Sequence, residues 1–319
     1  MASILPPLFL ERLQHIFPEE KYAALLETFR QEKAVCFRVN TLKTSEQDLL
    51  PQLEALGLSI SKHEFFENTY TIPAEQKNLL TYSEFFTNGL CYVQNLSSML
   101  PVFLLAPTSA DKVLDIAAAP GSKTTQIAAS MNNEGWISAV EINKSRFFKL
   151  KDNLALQGIT NVHTYLMDGS IVWQKCPEEF DKILVDAPCS SESRFNENEP
   201  ETFAYWSDKK IREMVKKQKR LIFSAFLSLK PGGSMVYATC SFAPEENEQI
   251  LNYLLRKFSG NAVLEAIELP LDNIQHGLTE WKGKKLDSSI KNAIRILPNG
   301  IMDGFFVCKI RKQHSTKQK

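Results

Sequence analysis

Residues 112–142 read KVLDIAAAPGSKTTQIAASMNNEGWISAVEI, and this stretch decides the fold. Lys112–Ala118 is a nearly continuous apolar run, as in a strand buried on both faces. Ser122–Met131 reads as a helix, and Trp136–Ile142 as a second strand. Working outward, the alternation continues. Asn143–Gln157 is a helix closed by Gly158, Val162–Met167 a third strand and Asp181–Ala187 a fourth. A long helix leads to Gly233–Thr239, and a further helix is expected from Pro244-Glu245-Glu246, with Pro and acids in its first turn. Ala262–Ile267 and Gly304–Ile310 complete a set of seven strands. Such alternation predicts an α/β fold, a doubly wound and mostly parallel seven-stranded sheet, over residues 106–312.

Residues 1–105 differ. Helical patches (Leu8–Phe17, Glu20–Arg30, Glu46–Leu56) and short strands (Cys36–Asn40, Tyr70–Ile72) predict a small α+β module. Residues 313–319 are expected to be a disordered basic tail.

Of 319 residues, 44% are hydrophobic and 23% charged, which excludes a disordered or fibrous chain. Lys and Arg number 37, as do Asp and Glu, so the net charge is zero. Taken alone, that balance speaks against a nucleic-acid partner. Its distribution does not: residues 209–220 hold seven bases and one acid, 309–319 five bases and no acid, and 1–105 eight bases and twelve acids. Neutrality is a cancellation between basic segments and an acidic remainder. The N-terminal stretch MASILPPLFLERL lacks the basic start of a secretory signal. The longest charge-free run, Phe85–Ala110, contains Asn88, Gln94, Asn95, Ser97, Ser98 and Pro101, so a core helix is expected there and no membrane span. Six cysteines without a Cys-x-x-Cys pair predict no metal site and a reducing, cytoplasmic setting. A monomer is expected.

Ligands of doubly wound sheets sit beyond the carboxyl ends of the strands. The first strand ends in Ala117, Ala118, Ala119, Pro120, Gly121, Ser122 and Lys123. Small side chains there admit a ligand to the backbone, and the following helix offers free N–H groups. A P-loop does not fit, because Ile116 holds the first glycine position and Ser122 separates Gly121 from Lys123. A dinucleotide fingerprint would need three glycines. Glu141, Asp168 and Asp186 close the next three strands. Three strand-end acids without a phosphate cradle point to a nucleoside lacking pyrophosphate, and S-adenosylmethionine fits.

Cys189 follows the fourth strand and Cys240 closes the fifth. Neighbouring strand ends lie about 5 Å apart, so both thiols can face one cleft. Two thiols and an acid suit attack on a pyrimidine. A thiolate adding to carbon 6 of cytosine makes carbon 5 nucleophilic, a protonated acid can donate to N3, and a base must later remove the carbon 5 proton. Spacing alone leaves the two cysteines interchangeable.

The strings DIAAAPGSKTTQIA (115–128), LVDAPCS (184–190), LKPGGSMVYATCS (229–241) and PEENE (244–248) resemble the Sun-type (Nol/Nop/Sun) RNA cytosine-5 methyltransferases. RVNTLK (38–43), YVQNLSSMLP (92–101) and the closing IRILP and DGFF resemble the same family, so nearly the whole chain is covered. The small-residue turn and MNNEG (131–135) are most similar to the bacterial branch acting on small-subunit ribosomal RNA. The resemblance implies a Rossmann-like methyltransferase sheet with an N-terminal RNA-binding-like module. It implies S-adenosylmethionine held by residues 117–123, Glu141, Asp168 and Asp186, with Asp186 also catalytic. Cys240 would be the nucleophile, and Cys189 would assist release of the methylated base. The expected substrate is ribosomal RNA; transfer RNA, or a non-catalytic RNA-binding role in ribosome assembly, are the alternatives. Two departures stand out. The loop after Cys189, SESRFNENEPETFAYW (191–206), has no glycine and sets four glutamates against Arg194. The branch often carries a further C-terminal RNA-binding region, for which this sequence leaves no room.

For RNA itself, KKIREMVKKQKR (209–220) is the candidate. Ile211, Met214, Val215, Gln218, Leu221, Ile222, Ala225, Phe226 and Leu229 mark a buried stripe, so the bases project from the other faces as a phosphate track. Phe195 and Tyr205 are candidates to stack on unpaired bases, while Trp206 is expected in the core. The target cytosine must leave any helix to reach both thiols.

Overall fold

The computed structural model describes residues 4–317. Its main sheet carries all seven expected strands: Lys112–Asp115 (β1), Trp136–Glu141 (β2), Val162–Leu166 (β3), Phe180–Asp186 (β4), Leu229–Thr239 (β5), Ala262–Glu265 (β6) and Phe305–Lys312, which becomes β9 because two short strands precede it. Those two, Ile274–His276 (β7) and Ile294–Ile296 (β8), were not anticipated, so the sheet has nine strands and not seven. Three-residue strands are too short to show a period-two pattern. β3, β2, β1, β4 and β5 run parallel; β9 joins β5 antiparallel, and β6 and β8 pair with its other edge. The parallel half is therefore five strands, and the rest of the sheet is antiparallel.

Apolar residues on both faces explain why these strands pack as they do. Leu114, Ile183, Val185, Met235 and Tyr237 face one layer, with Ile222, Phe226 and Leu251 from the helices Asp208–Ser228 and Glu248–Lys257. Val113, Ile137, Leu184 and Val236 face the other, with Leu100, Leu104 and Ile127. Leu100 and Leu104 lie on the helix Leu96–Leu105, the core helix expected in the charge-free run. No helix among the described residues is long and apolar enough to cross a membrane.

The helix expected at Pro244 starts only at Glu248. Residues 244–247 form turns because their side chains are committed elsewhere. Glu245 takes Arg12 (2.5 Å) and the Trp281 indole (3.0 Å). Asn247 joins the Thr239 hydroxyl (2.6 Å) to the Ser241 carbonyl (2.8 Å), and Glu248 pairs with the buried Arg295 at 2.5 Å. One short segment thus ties the end of β5 to the N-terminal helix and to β8.

The N-terminal module is a four-stranded antiparallel sheet with helices, including Pro7–Ile16, Glu19–Glu27 and Glu46–Ala55. Arg38, on its strand Val35–Val39, is buried against the half of the chain that carries the main sheet. Its guanidinium donates to Gln94 Oε1 (2.8 Å), the Ser122 carbonyl (3.2 Å) and Thr125 Oγ1 (3.2 Å). Burial lowers its pKa to about 10. Asn40 donates to the carbonyls of Gly89 and Gln157.

The expected disordered tail is also corrected for the residues described. Glu178 accepts from Lys312 Nζ (2.8 Å) and Ser315 Oγ (2.7 Å), and Asn261 accepts from the backbone of Gln313 and His314, so residues 313–317 are held against the domain. Residues 318–319 of that tail lie outside the described residues.

Candidate active site

Register places the two cysteines together. Asp186 of β4 pairs with Ala238 of β5, so Cys189 and Cys240 lie three and two residues beyond one rung of a parallel ladder. Their sulfurs are 3.3 Å apart, and both side chains are half-buried. The loop after Cys189 folds back over this end: Ser193 donates to the Cys240 carbonyl from N–H (3.1 Å) and Oγ (3.0 Å). Ser191, at φ 58° and ψ 31°, takes the left-handed conformation that glycine would adopt more easily, and its Oγ is 3.7 Å from Cys240 Sγ.

The thiols are electrostatically unequal. The Cys240 pKa falls to about 6, first through the hydrogen bond from Cys189, with help from the Arg194 charge and Ser191 against the opposing effect of burial. Cys189 moves well above its ordinary value, because its proton is held in that bond and the site is desolvated. By contrast, burial pushes Cys36, with help from the Asp303 charge, and Cys91 up to about 12 and Cys308 also upward, which suits inert core thiols.

Asp186 is close by, with Lys123 Nζ 2.6 Å from its Oδ2 and also donating to Ser98 Oγ at 2.8 Å. Lys123 therefore joins the small-residue turn to the strand-end acid beside the two cysteines. That turn behaves as expected. Gly121 has φ 110°, and a Cβ there would stand 3.0 Å from Leu150 Cδ1; the helix it opens, Ser122–Ser130, has no side-chain cap on its first N–H groups. Glu141 is buried at the end of β2, accepting from the Asn143 N–H (2.7 Å) and facing Arg146 (3.7 Å), which also donates to the Ala119 carbonyl. Asp168 accepts from the Ser170 N–H (2.8 Å) and faces Arg220 at 3.4 Å. The structure thus gathers all the expected cofactor residues along one edge, at the carboxyl ends of β1 to β4.

The donor set fits a nucleoside bearing an amino-acid group. Three strand-end carboxylates can accept from hydroxyl and amino groups, and no phosphate-binding loop competes. Asp115, at the end of β1, adds a direct sign. It accepts from Thr124 Oγ1 (2.7 Å), but its buried Oδ1 has no partner among the described residues, and burial raises its pKa to about 7. Gly169 approaches the Ile116 carbonyl so closely that a Cβ would come within 2.6 Å, which keeps the third strand end against the first.

Several residues escape a reading by sequence. Arg194 lies in an acidic-looking loop, yet its charge acts on Cys240, Asp186 and Cys189. Glu192, in the same loop, is buried and accepts from Trp206 Nε1 (2.8 Å) and the Phe242 N–H (2.8 Å). Glu246 sits behind both cysteines. It accepts from the Ser190 N–H and hydroxyl, from Gln218 Nε2 (2.7 Å) and from Ser241 Oγ (3.0 Å), and so clamps the residue after each thiol. Ser241 Oγ is also 3.1 Å from Glu192 Oε2. One hydroxyl proton serves one carboxylate, so a proton on Glu246 completes the network. Burial, with the Glu192 charge, raises Glu246 to about 7. The only hint in the sequence was the PEENE string itself.

Phe195 is corrected from a base-stacking candidate: it is buried, 4.8 Å from Phe9 between ring centroids. Trp206 packs in the same cluster as expected, and Tyr205 remains 89% exposed. The basic helix buries the expected stripe, including Ile211, Met214, Gln218, Leu221 and Ile222.

The chain resembles known proteins along nearly its whole length. Residues 102–311 match the family model of the 16S rRNA methyltransferase RsmB/F, and residues 5–96 that of the N-terminal domain of 16S rRNA methyltransferase RsmF. The ribosomal RNA small subunit methyltransferase F of Vibrio parahaemolyticus is 37% identical over 98% of this chain and 64% of its own length. Its counterpart from Serratia proteamaculans is 38% identical, again over 98% and 64%. The chain therefore spans just under two thirds of the length of these relatives. A methyltransferase homolog protein from Pyrococcus horikoshii superposes with TM-score 0.79 at 33% identity, covering 97% of this chain and all of that one. NSun6 from the same organism shares the fold, with TM-score 0.82 at 22% identity over 99% of this chain and all of that one. With matching models over both halves and a relative above a third identical along its length, the chain belongs to the 16S rRNA methyltransferase RsmB/F family.

Proposed function

We propose that this chain is an S-adenosylmethionine-dependent RNA cytosine-5 methyltransferase of small-subunit ribosomal RNA, working in the cytoplasm as a monomer. The observation that carries the reading is the pair of sulfurs 3.3 Å apart, one with a lowered and one with a raised pKa, beside the Lys123–Asp186 pair. Residues 117–123, Asp115, Glu141, Asp168 and Asp186 would hold the cofactor, which when bound supplies an electrophilic methyl group.

The chain's own residues account for the remaining chemistry. The Cys240 thiolate forms a bond to carbon 6 of the cytosine, the ring electrons shift, and N3 takes a proton from the Lys123–Asp186 pair. Carbon 5, now enamine-like, accepts the methyl group. Once Cys240 is bonded to carbon 6, Cys189 gives up to solvent the proton it had shared with that sulfur, and its thiolate, a strong base, removes the carbon 5 proton. The double bond reforms, the sulfur–carbon 6 bond breaks, and the N3 proton returns to the pair. Arg194 favours the thiolate at the start and again as it leaves. Glu246 and Ser241 hold the two cysteine turns in register.

The test is covalent trapping. Incubated with ribosomal RNA and cofactor, a Cys189→Ala protein should accumulate a protein–RNA adduct, and Cys240→Ala should form none. An adduct with Cys240→Ala but not Cys189→Ala would reverse the two roles. Bisulfite sequencing of ribosomal and transfer RNA with and without the gene names the substrate; a lost site in transfer RNA alone would favour that alternative. No lost site in either would favour the assembly role.

A further inference from the structure

Away from the cysteine cleft, a groove of about 700 Å³ lies between the helices Asp208–Ser228 and Glu248–Lys257 and the short hairpin of Glu280–Trp281 and Lys284–Lys285. Its charged lining is Lys219, Arg256, Lys257, Lys284 and Lys285, with no Asp or Glu. None of the five has an ion-pair or side-chain hydrogen-bond partner among the described residues. Nearby acids do not offset them: Asp287 Oδ1 is engaged by Ser289 (2.9 and 2.6 Å), and Glu280, opposite Lys285 across the hairpin, makes no ion pair with it among the described residues.

The bland explanation covers part of this cluster. Arg256 and Lys257 sit in the last turn of their helix, where cations offset the dipole, and Lys219 rests 5.4 Å above the Tyr253 ring. It leaves Lys284 and Lys285, brought to the same groove by a hairpin that Asn252 anchors through the Asp287 N–H (3.0 Å). Five like charges converging from three elements repel one another unless an anion joins them. Arg212, Lys216 and Lys219, spaced by four and three residues, continue the charge along one helix row. Gln218, next to Lys219, donates to the Pro188 carbonyl at 2.9 Å, immediately before Cys189.

We infer that this groove binds the sugar–phosphate backbone of the substrate RNA, at a distance from the target base. The inference rests on the proposed RNA methyltransferase activity. It gives the RNA a second hold on the catalytic domain, made mainly by lysines that the sequence scatters over 67 positions, from 219 to 285.

The test compares the full chain with an Arg256→Gln/Lys284→Gln/Lys285→Gln variant, none of these residues belonging to the catalytic or cofactor machinery. Binding of transcribed small-subunit ribosomal RNA is measured between 50 and 200 mM salt, next to methyl transfer and thermal melting. Removing three phosphate contacts should flatten the log–log salt slope by about 2 and weaken binding on the order of ten- to a hundredfold. KM for RNA should rise, with kcat and the melting temperature unchanged. RNA photocrosslinked to the wild-type chain should map to the peptide containing Tyr253. An unchanged slope, with wild type methylating normally, overturns the groove and leaves the activity standing. If wild type transfers no methyl group to any RNA, the activity falls, and the slope still judges the groove. Capture of an acidic protein or anionic vesicles that the variant loses, with the RNA slope unmoved, would also overturn it.

Discussion

Cys189 should control the ionisation of Cys240 before any RNA arrives. The Cys240 pKa is lowered from an ordinary 9.0 to about 6, with the Cys189 hydrogen bond the foremost cause and the Arg194 charge next among the favourable ones. At pH 7 such a thiol is roughly nine-tenths thiolate, against about one part in a hundred for an unperturbed one, a difference of about 4 kcal/mol in the protonation equilibrium. A Cys189→Ala change removes the first cause and leaves burial opposed mainly by Arg194. The midpoint of Cys240 alkylation by iodoacetamide should then move from near pH 6 to above about pH 7. Cys189→Ser, which keeps a donor, should hold it lower than alanine does. The midpoint is the proper readout, because a thiolate of lower pKa is also intrinsically less nucleophilic and rates at one pH partly cancel. Peptide mass mapping after timed alkylation from pH 5 to 10 supplies it. Cys36, Cys91 and Cys308 are buried with raised pKa values and should react slowly. A wild-type midpoint near 9, or one that Cys189→Ala does not move, would refute the reasoning. The trapped adduct would then need another explanation for why Cys240 attacks.

Two further outcomes follow from buried polar groups. Glu246, raised by burial from 4.5 to about 7, keeps its proton in the folded state after the unfolded chain has lost it. Its contribution is fully present below about pH 4.5 and is lost as pH rises to 7, about 3 kcal/mol in all. Glu246→Gln should remove that decline, so urea midpoints at pH 5 and 8 should differ less than in wild type; an unaltered difference would place the proton elsewhere. Arg38→Met leaves Gln94 Oε1, the Ser122 carbonyl and Thr125 without their donor, and should cost about 2–4 kcal/mol in urea unfolding, with looser cofactor binding at the adjoining turn. A loss under about 1 kcal/mol would show that the two halves are held mainly by apolar packing.

Much of this protein was legible one residue at a time. Apolar runs located the inner parallel strands, because a strand buried on both faces has little choice of composition; β3, at the sheet edge, has no buried residue. The end of the second helix was equally plain, closed by Gly158 at φ 69°; its start is Lys144, with Asn143 not inside the helix but capping it through the Arg146 N–H at 3.0 Å. Strand-end positions also brought the expected cofactor residues and both cysteines to one edge, since parallel strands send their carboxyl ends to one side. The antiparallel part was harder. β7 and β8 are three residues each and owe their pairing to β9, not to their own pattern. The PEENE segment reads as a helix start at Pro244, but the helix begins only at its last residue, Glu248, because the side chains before it serve partners as distant in sequence as Arg12 and Gln218.

By itself, then, the sequence determined the α/β class, the end of the sheet where the strand-end acids and both cysteines meet, and the residue types gathered there. Each follows from local composition and from chain direction. Only the tertiary structure decided that the two thiols touch and are shifted in opposite directions, that Asp186 holds Lys123, that Glu192 and Glu246 are buried behind the thiols, and that the Arg194 charge acts on them. Those are properties of distance and burial, and a pKa depends on the charges and solvent around a group whatever their separation along the chain.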